Sequence, residues 1–560
     1  MSIGHRASYS TINRMSPTFY TTLLTTLYGA ERANQLEKRI IDLVERYRGR
    51  IPVPADASLS ERDAMLITYG DQVREDGQPH LQTLAEFCNT YLRGILAGIH
   101  ILPFFPWSSD DGFSIKDFRA VDASLGNWLD IERIGRSFRL MVDGVINHAS
   151  VEGEWFQAFL HNKAPFNGFF ITVTGKPDLS EVVRPRALPL LTEFDTAAGM
   201  RRVWTTFSAD QADLDYHNPD ILLEILDILL LYAKHGAQFI RLDAIAFLWK
   251  EIGTPCIHLP QTHAFIQLLR TVLEDAAPHV RLITETNVPH RENISYFGDG
   301  TNEAHLVYNF ALPPLVMHTF RVEDASILSD WTSELALPFS KATFFNFLAS
   351  HDGIGLNPAL EILSAEEING LIEQTFSHGG QVSYKQNLDG TKSPYELNIS
   401  YFDALSDPAS SEPLELQLKR FMASQAIMLS LRGVPGIYFH SLFGSRSWKA
   451  GLALTGQNRT INRQKFTRAD LDAELTNPNS LRSLVFRRYQ ALLTRRLASA
   501  AFDPFGGQQI LDMGRQVFAV LRTSPRGDQS ILCLQNVSAQ ACTAGSYKLE
   551  PFQTLWVDNP

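Results

Sequence analysis

Residues 236–247 read GAQFIRLDAIAF, an apolar run that holds an arginine, Arg241, and an aspartate, Asp243, two positions apart. Side chains alternate faces along a strand, so these two project to the same side and can pair. A carboxylate among apolar neighbours is costly unless it is paired. The charges therefore belong where a buried strand leaves the core and opens into a site. On this reading Arg241 keeps Asp243 ionised and available as a nucleophile; a purely structural ion pair is the alternative that the segment alone leaves open.

Runs of the same kind recur on both sides of this one. They are MLITYG from Met65, GIHILP from Gly98, RLMVDGV from Arg139, QFIRLDAI from Gln238, VRLITET from Val280, LVYNFA from Leu306, TFFNFLASHD from Thr343 and GVPGIYF from Gly433. Each is separated from the next by helix-like segments, the pattern of parallel strands joined by helices. Eight such runs predict an α/β chain folded as a (β/α)8 barrel, although counting alone does not exclude an open doubly wound sheet.

The alternation is interrupted twice, and this sets the expected domain plan. A helical segment over residues 1–60 packs on the barrel, which occupies 61–150, 220–355 and 404–480. An insertion at 151–219 follows the third strand, and a second at 356–403 follows the seventh and carries a polar, glycine-bearing loop. Insertions at the C-terminal ends of barrel strands overlie the active-site face. From residue 481 to 560, short strands separated by turns, with PRGD as a hairpin signal, predict a small antiparallel β domain.

Composition narrows the functional classes. The chain has 560 residues, 44% of them hydrophobic, with a net charge of −11, which argues against a nucleic-acid or anionic-membrane partner. The N-terminal MSIGHRASYSTINRMS lacks the apolar core of a secretory signal, so a cytoplasmic protein is expected. The four cysteines, Cys88, Cys256, Cys533 and Cys542, match no metal or disulfide framework and read as reduced thiols.

Acidic residues close several of the predicted strands. Glu285 ends VRLITETN, Asp352 ends FFNFLASHD, Asp143 lies in LMVDGVINHA with Asn147 and His148, and Asp110 and Asp111 follow ILPFFPWSS. One acidic strand end is ordinary; several converging on one barrel mouth make a catalytic site. Two carboxyl groups flanking a sugar ring are the minimum for glycosyl transfer, one attacking the anomeric carbon and the other protonating the departing oxygen.

DGVINHA, FIRLDAIAF, LITETN and FLASHDG resemble, in order and spacing, the four motif regions of the α-amylase glycoside hydrolases, family 13. DDGFSIKDFRAVDASLGNW, GTPCIHLPQTH, VYNFALPPLVMHTF, SPYELN and RTINRQK are similar to the family's sucrose phosphorylase group. The resemblance implies that Asp243 is the nucleophile, Glu285 the acid/base and Asp352 the transition-state stabiliser. It also implies that Arg241 holds Asp243, that Asp110, His148, His351 and Arg463 bind the glucosyl ring, and that Phe113 and Phe207 form its aromatic walls. Arg186 and Tyr395 match positions where members bind phosphate. Lys392 is added on charge alone.

The activity implied is that of a retaining α-glucoside phosphorylase, with inorganic phosphate as co-substrate, no organic cofactor, no metal, and a homodimer among the possible assemblies. The chain departs from the best-known sucrose phosphorylases in the acceptor site. Asn287 stands where they have a His two residues after the acid/base, and Ser393 where they have an acid. With Arg186, Arg291, His378, Lys385 and Lys392 near the expected mouth, an anionic acceptor fits best. Glucosylglycerate is ranked first and sucrose 6′-phosphate second, with glucosylglycerol and sucrose as alternatives. A retaining α-glucosidase or transglucosylase is the rival of the same class, and an inactive sugar-binding protein the rival of another.

Overall fold

The computed structural model describes residues 17–335 and 339–560. The signal-sequence reading of residues 1–16 lies outside them. Eight strands close into a parallel barrel: β1 (Met65–Thr68), β2 (Gly98–Ile101), β3 (Arg139–Gly144), β4 (Ala237–Leu242), β5 (Arg281–Thr284), β6 (Leu306–Tyr308), β7 (Thr343–Phe347) and β8 (Val434–Tyr438). Each pairs with its neighbours in chain order and β8 returns to β1, so the open doubly wound alternative is excluded.

The strands are buried on both faces because helices cover the outside. This is why they read as near-continuous apolar runs. The helix Pro219–Lys234 shows how the sequence starts such a cover: the Asn218 side chain accepts from the Asp220 N–H, and proline takes a first-turn position that needs no donor. Helix Ala30–Tyr47 lays Ala33, Leu36, Ile40, Leu43 and Val44 inward at three- and four-residue spacing, against Pro219–Lys234 and Pro260–Ala276.

After β3 the chain forms a two-stranded ladder, His148–Ser150 with Gln211–Asp213, and a three-stranded sheet of Thr172–Val173, Gly199–Trp204 and Leu191–Thr196. After β7 come Ile354–Gly355, the helix Ala365–Ser377 and the hairpin Gln381–Gln386 with Lys392–Asn398. An isolated bridge, Arg184 with Gln386, joins these two insertions. At the C-terminus, Gly507–Ile510, Val517–Thr523, Ser530–Asn536 and Thr554–Asp558 form an antiparallel sheet. The PRGD turn connects its second and third strands in chain order. No helix among the described residues is long and apolar enough to cross a membrane.

Candidate active site

The barrel register places the charges. Arg241 on β4 stands opposite Asp143 on β3, and its Nη1 reaches Asp143 Oδ1 at 2.5 Å and Asp243 Oδ1 at 3.0 Å. Its Nη2 lies 3.8 Å from Glu285 Oε1. Asp143 is held from the other side by His100 Nε2 at 2.8 Å. Burial opposes the charge on Asp143, but His100 and Arg241 together hold its carboxyl down at about 2. The arginine therefore stays charged at the base of the site.

Just past β4, Ala244 takes a left-handed backbone, φ 51°, and its N–H donates to Glu285 Oε2 at 3.0 Å. Burial pushes the Asp243 carboxyl well up, with Glu285, Asp143 and Asp352 adding to it and Arg241 opposing. Burial also raises Glu285, against the pull of Arg241. Two such close groups share their protons as a pair. The nearer arginine contact favours the negative charge on Asp243 and the proton on Glu285.

Asp352 has a different environment. Burial opposes its charge too, yet Arg459 Nη1 at 2.6 Å, His351 at 3.4 Å and Arg463 at 3.9 Å hold its carboxyl well below the usual range. Arg459 is in turn clamped by Glu396, Nη2 to Oε1 at 2.6 Å and Nε to Oε2 at 3.1 Å. Three carboxyl groups thus meet in one cavity: Asp243 and Glu285, whose pKa values burial raises, and Asp352, fixed as an anion.

Aromatic side chains shape the walls. Phe113 stacks on His351, ring centres 4.6 Å apart and planes 3° from parallel, and its carbonyl contacts His148 Nε2 at 2.9 Å. Burial lowers the pKa of both histidines. Phe207 packs beside His148 and Phe247. Such faces suit a sugar and a developing cation.

On the insertion side, Arg186 lies over the Tyr395 ring at 5.8 Å and 3.9 Å from Glu396 Oε1. Asn287 projects into the same cavity, and its Oδ1 has no hydrogen-bond partner among the described residues. A Cβ at Gly355 would come within 2.5 Å of that atom, so a side chain there would displace Asn287. Asn357 Nδ2 donates to the Asn287 carbonyl at 3.2 Å, and Lys385 Nζ to Asn357 Oδ1 at 2.8 Å.

Of the residues expected from the sequence, Asp110, Phe113, His148, Arg186, Phe207, Asp243, Glu285, Asn287, His351, Asp352 and Tyr395 line one cavity. Arg241 and Arg463 sit behind its wall and touch the carboxylates from there. Ser393 and Lys392 lie on the hairpin away from the wall: Ser393 Oγ donates to Asn387 Oδ1 at 2.9 Å, and Lys392 is exposed. Arg459, Glu396, Gln211, Phe247 and Phe310 also line the cavity and were not singled out. Arg459 lay within the quoted RTINRQK, and Glu396 within SPYELN, so a charge inside each motif was the available signal.

The end of β3 bears on metal binding. Lys250 Nζ contacts Asn147 Oδ1 at 2.6 Å and Asp213 Oδ2 at 2.5 Å, and all three are buried. The ammonium occupies the oxygen atoms that a hard cation would use. Among the described residues, no three His, Cys, Asp or Glu converge as a metal set.

Residues 89–353 match the family model described as alpha amylase, catalytic domain. The chain is 52% identical over 522 residues to the glucosylglycerate phosphorylase of Spirochaeta thermophila, spanning 92% of this chain and 88% of that one. It is 43% identical over 509 residues to the glucosylglycerate phosphorylase of Escherichia coli, spanning 91% of each. Among solved structures, the sucrose 6F-phosphate phosphorylase from Thermoanaerobacter thermosaccharolyticum shares the fold, with a TM-score of 0.75 at 23% identity over 89% of this chain and 95% of that one.

Proposed function

The chain belongs to the α-amylase glycoside hydrolase family and, within it, to the sucrose phosphorylase-like group; on that footing we propose that it is a retaining glucosylglycerate phosphorylase, a hexosyltransferase that interconverts glucosylglycerate plus phosphate with α-D-glucose 1-phosphate plus glycerate. The observation that carries this reading is the joint placement of Asp243 and Glu285 around Arg241, with Arg186 and Tyr395 in the same cavity. The relatives at 52% and 43% identity support glycerate as the acceptor.

The chemistry runs in two displacements. Asp243 Oδ1 is engaged by Arg241, so Oδ2 attacks the anomeric carbon while Glu285 protonates the glycosidic oxygen. The carbon–oxygen bond breaks, glycerate leaves, and a β-glucosyl ester forms. Phosphate then gives a proton to Glu285 as its oxygen attacks the same carbon, and the Asp243 carboxylate departs. Two inversions return the α-anomer.

Asp352, kept anionic by Arg459, stabilises the cationic transition state and grips sugar hydroxyls. Arg186 and Tyr395 receive phosphate, and Asn287 Oδ1 accepts from a glycerate hydroxyl. Phosphate as a co-substrate and a charged sugar product that a cell retains suit a cytoplasmic setting, as do cysteines without disulfides among the described residues.

The test is phosphate release from α-glucose 1-phosphate with D-glycerate, glycerol, fructose or fructose 6-phosphate supplied separately. Release with glycerate alone, lost in Asp243→Asn, is the expected result. Equal release without any acceptor would make water the nucleophile and the protein a retaining hydrolase.

A further inference from the structure

Asp111 lies next to a pocket residue but outside the pocket wall, and its side chain is committed elsewhere. Its Oδ2 is 2.6 Å from Arg463 Nη1, whereas Asp110 Oδ1 is 3.5 Å from the same atom. Arg463 is almost wholly buried. Its Nε donates to the His351 carbonyl at 2.9 Å, and its Nη2, 3.9 Å from Asp352 Oδ1, has no hydrogen-bond partner among the described residues. One guanidinium therefore stands within reach of three carboxylates and is claimed by the one that does not line the cavity.

The backbone makes this division possible. Asp110 and Asp111 both adopt left-handed conformations, φ 53° and 50°, and Gly112 follows at φ 112°. Non-glycine residues seldom enter this region, and aspartate is among those that tolerate it best. At Gly112 a Cβ would lie 2.6 Å from the Pro103 carbonyl, so only glycine continues the turn. The result sends consecutive carboxylates to different places, Asp110 to the cavity and Asp111 to Arg463.

We propose that Asp111 is a positioning residue for donor binding: by anchoring Arg463 it leaves the Asp110 carboxylate free to accept hydrogen bonds from the glucosyl hydroxyls. This rests on the reading of Asp110 as a sugar ligand in the proposed function. Without Asp111, the guanidinium closes the remaining gap to Asp110, because charge-assisted bonds to carboxylate are the strongest on offer. The sugar then has to displace a protein cation from its own acceptor, and donor affinity falls while the reacting carboxylates stay in place.

The experiment compares wild type with Asp111→Asn and Asp111→Gly, both compatible with the left-handed backbone, so a role confined to holding the turn predicts no change in either. With D-glycerate saturating, both variants are expected to raise KM for α-glucose 1-phosphate about tenfold. kcat should fall far less, and KM for glycerate should stay at the wild-type value. A wild-type KM for α-glucose 1-phosphate in either variant overturns the proposal. If the wild-type protein itself shows no turnover, the proposed function fails instead. The comparison is then read as D-glucose binding by titration calorimetry, where about tenfold weaker binding in both variants supports the anchor and equal binding overturns it.

Discussion

Arg241 and Asp143 stand directly opposite each other on neighbouring barrel strands, and their side chains meet at 2.5 Å. Asp143 has no contact with the cavity, yet it fixes the cation on which Asp243 depends. Asp143→Asn is expected to lower kcat on the order of 10²-fold, because a loosened Arg241 stabilises the Asp243 anion less well. A wild-type kcat in this variant would show that Arg241 is held adequately by other groups.

The two principal carboxylates separate by leaving group. Asp243→Asn should lose more than about 10³-fold in kcat with every donor, since no ester can form. Glu285→Gln should lose a similar factor with glucosylglycerate yet keep much of its rate of donor consumption with α-glucosyl fluoride, whose departing ion needs no proton. Equal losses with both donors in the second variant would remove Glu285 from the acid role.

The pH dependence of turnover should be bell-shaped. In the proposed mechanism Asp243 acts ionised, so activity declines as pH falls through its raised pKa. Glu285 is there protonated in the first step, so activity declines as pH rises through its own raised value. Both limbs belong to the coupled pair. Glu285→Gln measured with α-glucosyl fluoride should lose the alkaline limb and retain the acid one.

Lys250→Met leaves Asp213 buried without its ammonium partner, a change expected to cost about 3–5 kcal/mol of stability. Thermal unfolding should report it as a large fall in Tm. Turnover of the wild type should be indifferent to EDTA, because the ammonium already holds Asn147 and Asp213. Inactivation by the chelator, reversed by calcium, would contradict this.

Arg186→Ala tests the phosphate step. Its KM for phosphate should rise more than about tenfold, with a larger share of the ester lost to water, because the cation proposed to recruit phosphate is gone. The ratio of glucose to glucose 1-phosphate formed from glucosylglycerate measures this directly.

The barrel was legible because all eight strands are buried on both faces, and burial leaves a mark on composition that needs no partner to interpret. The carboxylates that line the cavity were legible for the opposite reason: a charge inside such a run has to lead somewhere. Lys392 is cationic and near Tyr395 in sequence, but neighbours two or three apart on a hairpin differ in depth, and it is exposed. Arg459 was missed although it contacts Asp352 more closely than Arg463 does, 2.6 against 3.9 Å. Two arginines four residues apart look alike in a sequence, and only the three-dimensional path of residues 458–463 shows which one reaches the carboxylate. Lys250 was missed because its partners, Asn147 and Asp213, lie on other segments and meet it only after folding.

The bridge between Arg184 and Gln386 joins segments some 200 positions apart along the chain. Arg186 sits just beyond one end of it, and the strand that carries Tyr395 and Glu396 pairs with the strand bearing the other. Changing acceptor preference by transplanting either loop alone would break this seam and leave its counterpart facing a foreign edge. The two insertions thus form one piece of the cavity wall, and an exchange meant to change what the cavity admits is expected to succeed when both move together.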